Sequence, residues 1–264
     1  MVGPDELKMQ LHYEKTGSGF PVIILHGLFG SSDNWRTIAK NLSSLFLVVS
    51  VDQRNHGRSP HDPQMSDELM AGDVADLMHG QGWQSAYVIG HSMGGKTAME
   101  LALRQPDKVD KLVVVDIGPR EHPLRHDHIL DALLGIDLNS FGTRHAIGES
   151  LATAIPDRDV VRFLLKSVGR DATGRFRWLI GLKEIAANYS AIAAGIAKGR
   201  SFQKPCLLVR GELSDYLRPE DEDAFRELFP MAEVRQISGA GHWVHAESPA
   251  EFTRVVMGFL QRVG

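Results

Sequence analysis

Short, nearly continuous apolar runs recur along the chain and alternate with amphipathic stretches. Such runs are typical of strands that are buried on both faces of a parallel sheet built from βαβ units. The predicted strands cover residues 22–25, 46–51, 86–89, 112–115, 206–209 and 233–237, with an edge strand over 9–13. The pattern therefore predicts an α/β fold with a mostly parallel sheet.

Apolar residues at helical spacing fill the stretches between the predicted strands and place helices on both faces of the sheet. These helices cover residues 33–42, 67–78, 92–104 and 249–261. From 120 to 200 the alternation stops, and helical patterns occur at 129–134, 160–168 and 180–187 without a convincing strand. We interpret residues 120–200 as a helical cap over the carboxyl edge of a core formed by residues 1–119 and 201–264.

Composition excludes several classes of protein. The 264 residues carry a formal net charge of -4 without a basic block, which argues against nucleic-acid binding. No apolar stretch approaches the roughly 20 residues that span a bilayer, and the first residues lack the apolar core of a secretory signal. The single cysteine, Cys206, lies in an apolar run and is expected to be buried. We therefore expect a cytoplasmic protein that does not bind membranes.

A Gly-x-Ser-x-Gly sequence at residues 90–94 directly follows a predicted strand and opens a predicted helix. A serine on so sharp a turn adopts a strained backbone conformation, so its neighbours two positions away must lack side chains. Gly90 and Gly94 fill those positions, and Gly95 allows close approach of helix and strand. The hydroxyl then stands at a helix N-terminus, which favours developing negative charge. This context predicts a nucleophile at Ser92.

A serine hydroxyl needs an adjacent base to act as a nucleophile. Among the 12 histidines, His242 lies in a glycine-rich loop between the last predicted strand and the last helix. That position also gives the chain order Ser, Asp, His that this type of site uses. His242 is therefore the predicted base, and His245 is expected to serve packing or hydrogen bonding.

An oxyanion hole needs two backbone amides at the same edge of the sheet. The first is expected from Met93, the residue after the nucleophile, and the second from the loop after the strand over residues 22–25. That loop reads His-Gly-Leu-Phe-Gly, and we predict Leu28 as the donor, with Phe29 lining the pocket.

Two aspartates end predicted strands and are candidates for the acid of a triad. Asp116 directly follows the strand over residues 112–115, and Asp215 lies shortly after the strand over residues 206–209. Either carboxylate would orient the imidazole and stabilise imidazolium. The residues alone leave this choice open.

Several segments together resemble a known family. They are His-Gly-Leu-Phe-Gly at 26–30, Asp-Gln-Arg-Asn-His-Gly-Arg-Ser at 52–59, Gly-His-Ser-Met-Gly-Gly-Lys at 90–96, Val-Asp-Ile at 115–117 and Gly-His-Trp-Val-His-Ala-Glu at 241–247. The series is similar to esterases of the α/β-hydrolase superfamily of the bacterial YbfF type, related to the animal abhydrolase-domain-11 proteins. The resemblance covers nearly the whole core and matches the cap region only loosely.

The resemblance implies an α/β-hydrolase fold, a Ser-Asp-His triad, hydrolysis of short-acyl esters or thioesters, and no cofactor. Most of the superfamily carries the acid after the penultimate strand in a Gly-x-x-Asp pattern, but here Ser214 stands at that spacing and Asp215 comes one residue late. Bacterial members of this branch use the acid after the preceding strand, which corresponds to Asp116. The resemblance therefore favours Asp116, with Asp215 as the alternative.

The basic loop over residues 52–59 carries a histidine and invites comparison with a metal site. Asp52, His56 and Asp62 lack the spacing of a metal cluster, so we expect no metal there. We interpret the loop as structural, with Arg54 and Asn55 tying together loops beside the site.

The residues expected at the pocket, Phe29, Met93 and Trp243, are apolar and suit a small uncharged ester as the partner molecule. Competing hypotheses are carbon-carbon bond hydrolysis, perhydrolysis, and a non-catalytic receptor that retains the pocket. Dehalogenases and epoxide hydrolases need an aspartate at the elbow, so Ser92 excludes both.

Overall fold

The apolar runs come together in one sheet in the computed structural model, which describes residues 9–217 and 219–262. The strands in chain order are β1 (Tyr13–Thr16), β2 (Pro21–Leu25), β3 (Leu47–Val51), β4 (Ala86–His91), β5 (Val109–Val115), β6 (Val168–Arg170), β7 (Phe176–Trp178), β8 (Cys206–Gly211) and β9 (Ala232–Ile237). In the described residues the main sheet has the order β1-β3-β2-β4-β5-β8-β9. Only β1 is antiparallel to its neighbour there, which confirms the prediction of a mostly parallel sheet.

Helices cover the sheet on both faces. They are α1 (Arg36–Leu42), α2 (Asp67–Gly80), α3 (Met93–Arg104), α4 (Asp127–Gly135), α5 (Arg144–Leu151), α6 (Arg158–Leu165), α7 (Leu182–Ala187), α8 (Tyr189–Ala193), α9 (Pro219–Leu228), α10 (Val244–Glu247) and α11 (Pro249–Leu260). Ile23 of β2 packs in one core with α2, α3 and α9, whereas Ile24 packs in a second core with α1 and α11. Alternate residues of a strand face opposite sides, so β2 is buried on both.

The segment from residue 120 to residue 200 holds α4 to α8 and also a hairpin of β6 and β7. The prediction that this segment lacks strands is therefore wrong, and Val168 begins a strand rather than ending a helix. A strand of three residues is too short to show an apolar run. Here β6 and β7 pair with each other and are not buried on both faces of a sheet. Apolar side chains of the segment share one cluster with Phe29 and Met93 of the core loops.

Other differences from the predicted elements lie where burial is weak. The edge strand runs over Tyr13–Thr16 instead of 9–13, because its register follows pairing with β3 and its side chains are mostly exposed. Helix α9 was not predicted from its acidic start, and residues 32–35 of the first predicted helix form a 3-10 turn. Cys206 is fully buried, as expected. In the described ranges none of the helices combines the length and apolar character that crossing a membrane requires.

The loop over residues 52–59 is fixed by buried polar contacts, as interpreted from the sequence. The Arg54 guanidinium donates to both carboxylate oxygens of Asp73 at 2.6 and 2.7 Å, and both side chains are less than 9% exposed. The Asn55 carbonyl accepts from the Gly181 amide at 2.8 Å, which connects the loop to the 120–200 segment.

We expect Asp73→Ala to lower the free energy of unfolding by about 3–5 kcal/mol, because it leaves the Arg54 charge buried without its partner. Glu14→Ala removes the carboxylate from the exposed pair with Arg58 and serves as the matched control. That change is expected to cost at most about 1 kcal/mol. Urea unfolding of both variants measures the difference, and equal losses would contradict a structural role for the buried pair.

Candidate active site

Ser92 lies on a sharp bend between β4 and α3, with a φ of 51° and a ψ of -119°. A Cβ added to Gly90 would lie 2.1 Å from the carbonyl oxygen of Gly94, and one added to Gly94 would lie 2.4 Å from that of Leu25. Helix α3 therefore approaches β4 and the end of β2 so closely that only glycine fits at both positions. The serine stands at the carboxyl edge of the sheet, as the Gly-x-Ser-x-Gly pattern predicted.

Asp116 and His242 meet at the same edge. Asp116 directly follows β5, has a φ of 54° and is fully buried, while His242 lies in the loop after β9. The His242 Nδ1 lies 2.7 Å from the Asp116 Oδ2. Since a carboxylate accepts, this hydrogen bond places the imidazole proton on Nδ1 and leaves the Nε2 lone pair available as a base.

Two further groups donate to the Asp116 carboxylate. The Gly211 amide donates to Oδ1 at 3.0 Å, and the Ser214 hydroxyl donates to Oδ2 in a short hydrogen bond. Ser214 occupies the sequence position at which most of the resembling superfamily carries its acid, and here it supports the acid of the neighbouring strand. The sequence identified the position but not this contact.

Asp215, the alternative acid, lies away from the imidazole. Its side chain is 78% exposed, and its carboxylate pairs with Arg125 at 2.7 Å. The structure therefore brings Asp116 to His242 and leaves Asp215 at the surface.

His242 is also held by two aromatic neighbours that the sequence did not indicate. The Tyr216 ring stacks on the imidazole with 3.7 Å between the ring centroids and an interplanar angle of 17°. The His91 Nε2 donates to the His242 carbonyl oxygen at 3.0 Å. Tyr216 in turn contacts the His126 Nε2 through its hydroxyl at 3.1 Å. These contacts fix both the plane of the imidazole and the loop that carries it.

Burial sets the protonation of the pair. It lowers the pKa of His242 below the ordinary histidine value, and nearby His126 acts in the same direction. Burial raises the pKa of Asp116 to about 6, and the hydrogen bonds from Ser214 and Gly211 oppose that rise. At neutral pH the arrangement therefore holds a neutral imidazole against a carboxylate.

The backbone amides of Leu28 and Met93 are the donors that the sequence predicts for an oxyanion hole. Both residues line a cavity together with Ser92, and neither amide donates to another group in the described part of the chain. The next amide in the loop, that of Phe29, is already used, because it donates to the His56 Nε2 at 3.2 Å. Of the two residues at the tip of this loop, only Leu28 therefore offers an open donor.

His56 holds the loop over residues 26–30 in its strained form. Phe29 has a φ of 62°, which is unfavourable for a bulky residue. Burial lowers the pKa of His56 to about 3, so its Nε2 accepts from the Phe29 amide while its Nδ1 donates to the Arg54 carbonyl at 2.9 Å. The loop over residues 52–59 thus supports the loop that carries Phe29. None of its residues lines the cavities at Ser92.

Ser92 and His242 open into the same cavity of about 300 Å³. Phe29 and Trp243 line it, as predicted, and apolar side chains of the 120–200 segment form its roof. No hydrogen bond joins Ser92 Oγ to His242 within residues 9–217 and 219–262. Such bonds commonly tighten only when substrate binds. In the same described residues, no group of three or more His, Cys, Asp or Glu is placed to hold a metal ion.

Comparison with known proteins identifies the family of the chain. Residues 21–147 match the alpha/beta hydrolase fold family. The chain is 34% identical to the sn-1-specific diacylglycerol lipase ABHD11 of Danio rerio over 94% of this chain and 81% of that protein. It is 36% identical to esterase YbfF of Escherichia coli over 91% of this chain and 92% of that protein. A solved structure described as a marine microorganism esterase superposes with a TM-score of 0.93 at 42% identity, over 95% of this chain and 99% of that one.

The chain therefore belongs to the α/β-hydrolase family and is a hydrolase of its esterase and lipase type. This confirms the fold class and the resemblance that the motifs indicated.

We expect Asp116→Asn to lower kcat for ester hydrolysis by about 10⁴-fold, because the amide favours the wrong imidazole tautomer. Asp215→Asn is the matched control, since its carboxylate lies at the surface. Steady-state hydrolysis of p-nitrophenyl acetate measures both. A larger loss in Asp215→Asn than in Asp116→Asn would show that the acid has been assigned to the wrong strand.

Ser214→Ala tests the hydroxyl that supports Asp116. In the wild type, we expect the acid limb of kcat/KM to lie at about pH 6 or below, because the pKa of Asp116 is about 6 and burial lowers the pKa of His242 below the ordinary histidine value. Removing a hydrogen bond to the carboxylate raises the pKa of Asp116, so the limb should move upward by about one pH unit. A pH–rate profile that does not move, or that moves to lower pH, contradicts this role.

Proposed function

We propose that the chain hydrolyses esters of short carboxylic acids through an acyl-enzyme formed on Ser92. The observation that carries the proposal is the 2.7 Å hydrogen bond between Asp116 and His242, whose imidazole opens into the same cavity as the serine. A buried carboxylate, an imidazole and a strained serine at one sheet edge are the components that this chemistry needs.

In the first step, the Ser92 Oγ attacks the carbonyl carbon of the ester as the His242 Nε2 removes its proton. The imidazolium that forms donates through Nδ1 to Asp116, which stays ionised and stabilises the positive charge. The carbonyl oxygen becomes an oxyanion, and the amides of Leu28 and Met93 donate to it. These two amides need not reorganise when the oxyanion forms, because one belongs to the 26–30 loop and the other to the N-terminus of α3.

In the second step, His242 gives its proton to the leaving oxygen, the carbon–oxygen bond breaks, and the alcohol departs. Water then attacks the acyl-enzyme by the same route, with His242 again removing a proton, and the acid is released. A thioester would follow the same path with a thiol as the leaving group. The chemistry requires only Ser92, the Asp116–His242 pair and the two backbone amides of the oxyanion hole.

The character of the cavity supports an uncharged substrate. Ile129, Ile155, Val160 and Phe163 of the 120–200 segment line it opposite Phe29. The guanidinium of Arg125 reaches the rim but is already paired with Asp215. We propose that the segment acts as the cap that excludes water and selects the substrate, since an apolar enclosure strengthens the electrostatic contacts inside it.

Labelling with a fluorophosphonate, together with turnover of p-nitrophenyl acetate, tests the proposal. We expect one label per chain at Ser92, and Ser92→Ala should abolish labelling and lower turnover by roughly 10⁵–10⁶-fold. Ser44→Ala, an exposed serine far from the bend, is the control and should retain both. A folded wild-type chain that neither labels nor hydrolyses esters or thioesters would refute the proposal. Turnover of a diketone alone would favour carbon-carbon bond hydrolysis.

A further inference from the structure

Two cavities meet at Ser92, and they differ in size. The larger one has a volume of about 300 Å³, and the smaller one has a volume of about 50 Å³. Leu28 and Ser92 line both, and so do His126 and Tyr216 of the surrounding loops. The reacting serine therefore stands at the junction of two compartments of unequal capacity.

The two cavities also differ in which reacting group they contain. His242 and Trp243 line the larger cavity and not the smaller one. Met93, which carries an amide of the proposed oxyanion hole, lines the smaller cavity and not the larger one. The base and the helix N-terminus thus mark opposite sides of the serine.

During acyl transfer, each part of the ester must lie in a particular direction from Ser92 and His242. In the tetrahedral intermediate the carbon bears the Ser92 oxygen, the oxyanion, the leaving oxygen and the acyl chain. The leaving oxygen must lie beside the His242 Nε2 to receive its proton, so the alcohol extends into the cavity that His242 lines. The acyl chain takes the remaining direction, and the small cavity is the compartment beside Ser92 that His242 does not line.

We propose, on the basis of the esterase function proposed above, that the small cavity is the acyl subsite and the large cavity the leaving-group subsite. The preferred substrates are then esters of acids with very short chains and bulky apolar alcohols. A volume of about 50 Å³ has room for only a few non-hydrogen atoms. A longer acyl chain exceeds this volume and must displace a wall or leave the cavity.

Those walls are fixed. Ile117, Tyr189 and Ile192 line the small cavity and are each less than 9% exposed. The buried Lys96 of α3 also lines this cavity, and it donates to the Ala193 carbonyl at 2.9 Å and to that of Ala194. This contact fastens the end of α8 to the helix that follows the nucleophile. The cavity therefore has little freedom to widen by movement of α8.

The wild-type protein gives the first test. At constant leaving group, kcat/KM for p-nitrophenyl esters should fall by about 10-fold or more between butanoate and octanoate, since the extra methylenes find no space. With acetate held constant, replacing phenol by 2-naphthol, a larger leaving group of similar acidity, should change kcat/KM by less than about 3-fold, because the large cavity accepts either ring.

A pair of isoleucine variants gives the second test. Ile192 lines only the small cavity and Ile129 only the large one, and both are buried in helices of the 120–200 segment. Ile192→Ala should raise the hexanoate-to-acetate ratio of kcat/KM by about 10-fold. Ile129→Ala should leave that ratio within about 2-fold. Because either deletion removes buried side-chain atoms and lowers stability, the urea midpoint is measured for both. Ile192→Val is expected to give a smaller rise in the same ratio.

Contrary outcomes separate the two proposals. A wild-type chain that hydrolyses octanoate faster than acetate overturns the subsite assignment while leaving the esterase function intact. The subsite assignment is also overturned if the hexanoate-to-acetate ratio of kcat/KM changes in Ile129→Ala and not in Ile192→Ala. Absence of ester hydrolysis for every acid and alcohol in the series refutes the proposed function itself.

Discussion

The backbone bend at Ser92 is the constraint on which the rest of the site depends. Its dihedral angles of 51° and -119° are strained for any residue with a side chain. The bend persists because α3 closes on β4 at Gly90 and on the end of β2 at Gly94, and neither position has room for a Cβ. It lifts the hydroxyl off the sheet, and it frees the Met93 amide at the helix N-terminus. It also sets the nucleophile on the edge where the strands that carry the aspartate and the histidine end.

Strain in the described part of the chain is concentrated at this site and beneath it. The non-glycine residues with positive φ there are Phe29, Asn55, Ser92 and Asp116. Each is held by contacts from another segment: the His56 ring accepts from the Phe29 amide, and the carbonyls of Asn55 and Val115 accept from the Gly181 and Ser92 amides. Asp116 itself is held through its side chain. Such conformations cost on the order of 1–3 kcal/mol each and persist only where the surroundings enforce them. The buried histidines and the 120–200 segment therefore contribute to preorganisation as well as to stability.

Much of this arrangement could be predicted from the sequence, because its causes are local. Strands buried on both faces need apolar runs, and the bend needs glycine two positions on either side of the serine. What could not be predicted depends on contacts between distant loops. Ser214 lies 98 positions from Asp116 in the chain, and the stacking of Tyr216 on His242 depends on how two loops pack. The choice between two aspartates stayed open for the same reason, since both follow strands and only the folded loops show which carboxylate faces the imidazole.

The most direct measurement of the central claim is a crystal structure of the covalent adduct with an alkyl phosphonate. The account predicts a phosphorus bound to the Ser92 Oγ, with its oxygen about 2.7–3.1 Å from the amide nitrogens of Leu28 and Met93. It also predicts that the His242 Nε2 lies within hydrogen-bonding reach of the serine oxygen. An adduct on another residue would contradict the account. So would a phosphonyl oxygen that turns away from both amides while the bend keeps its present form.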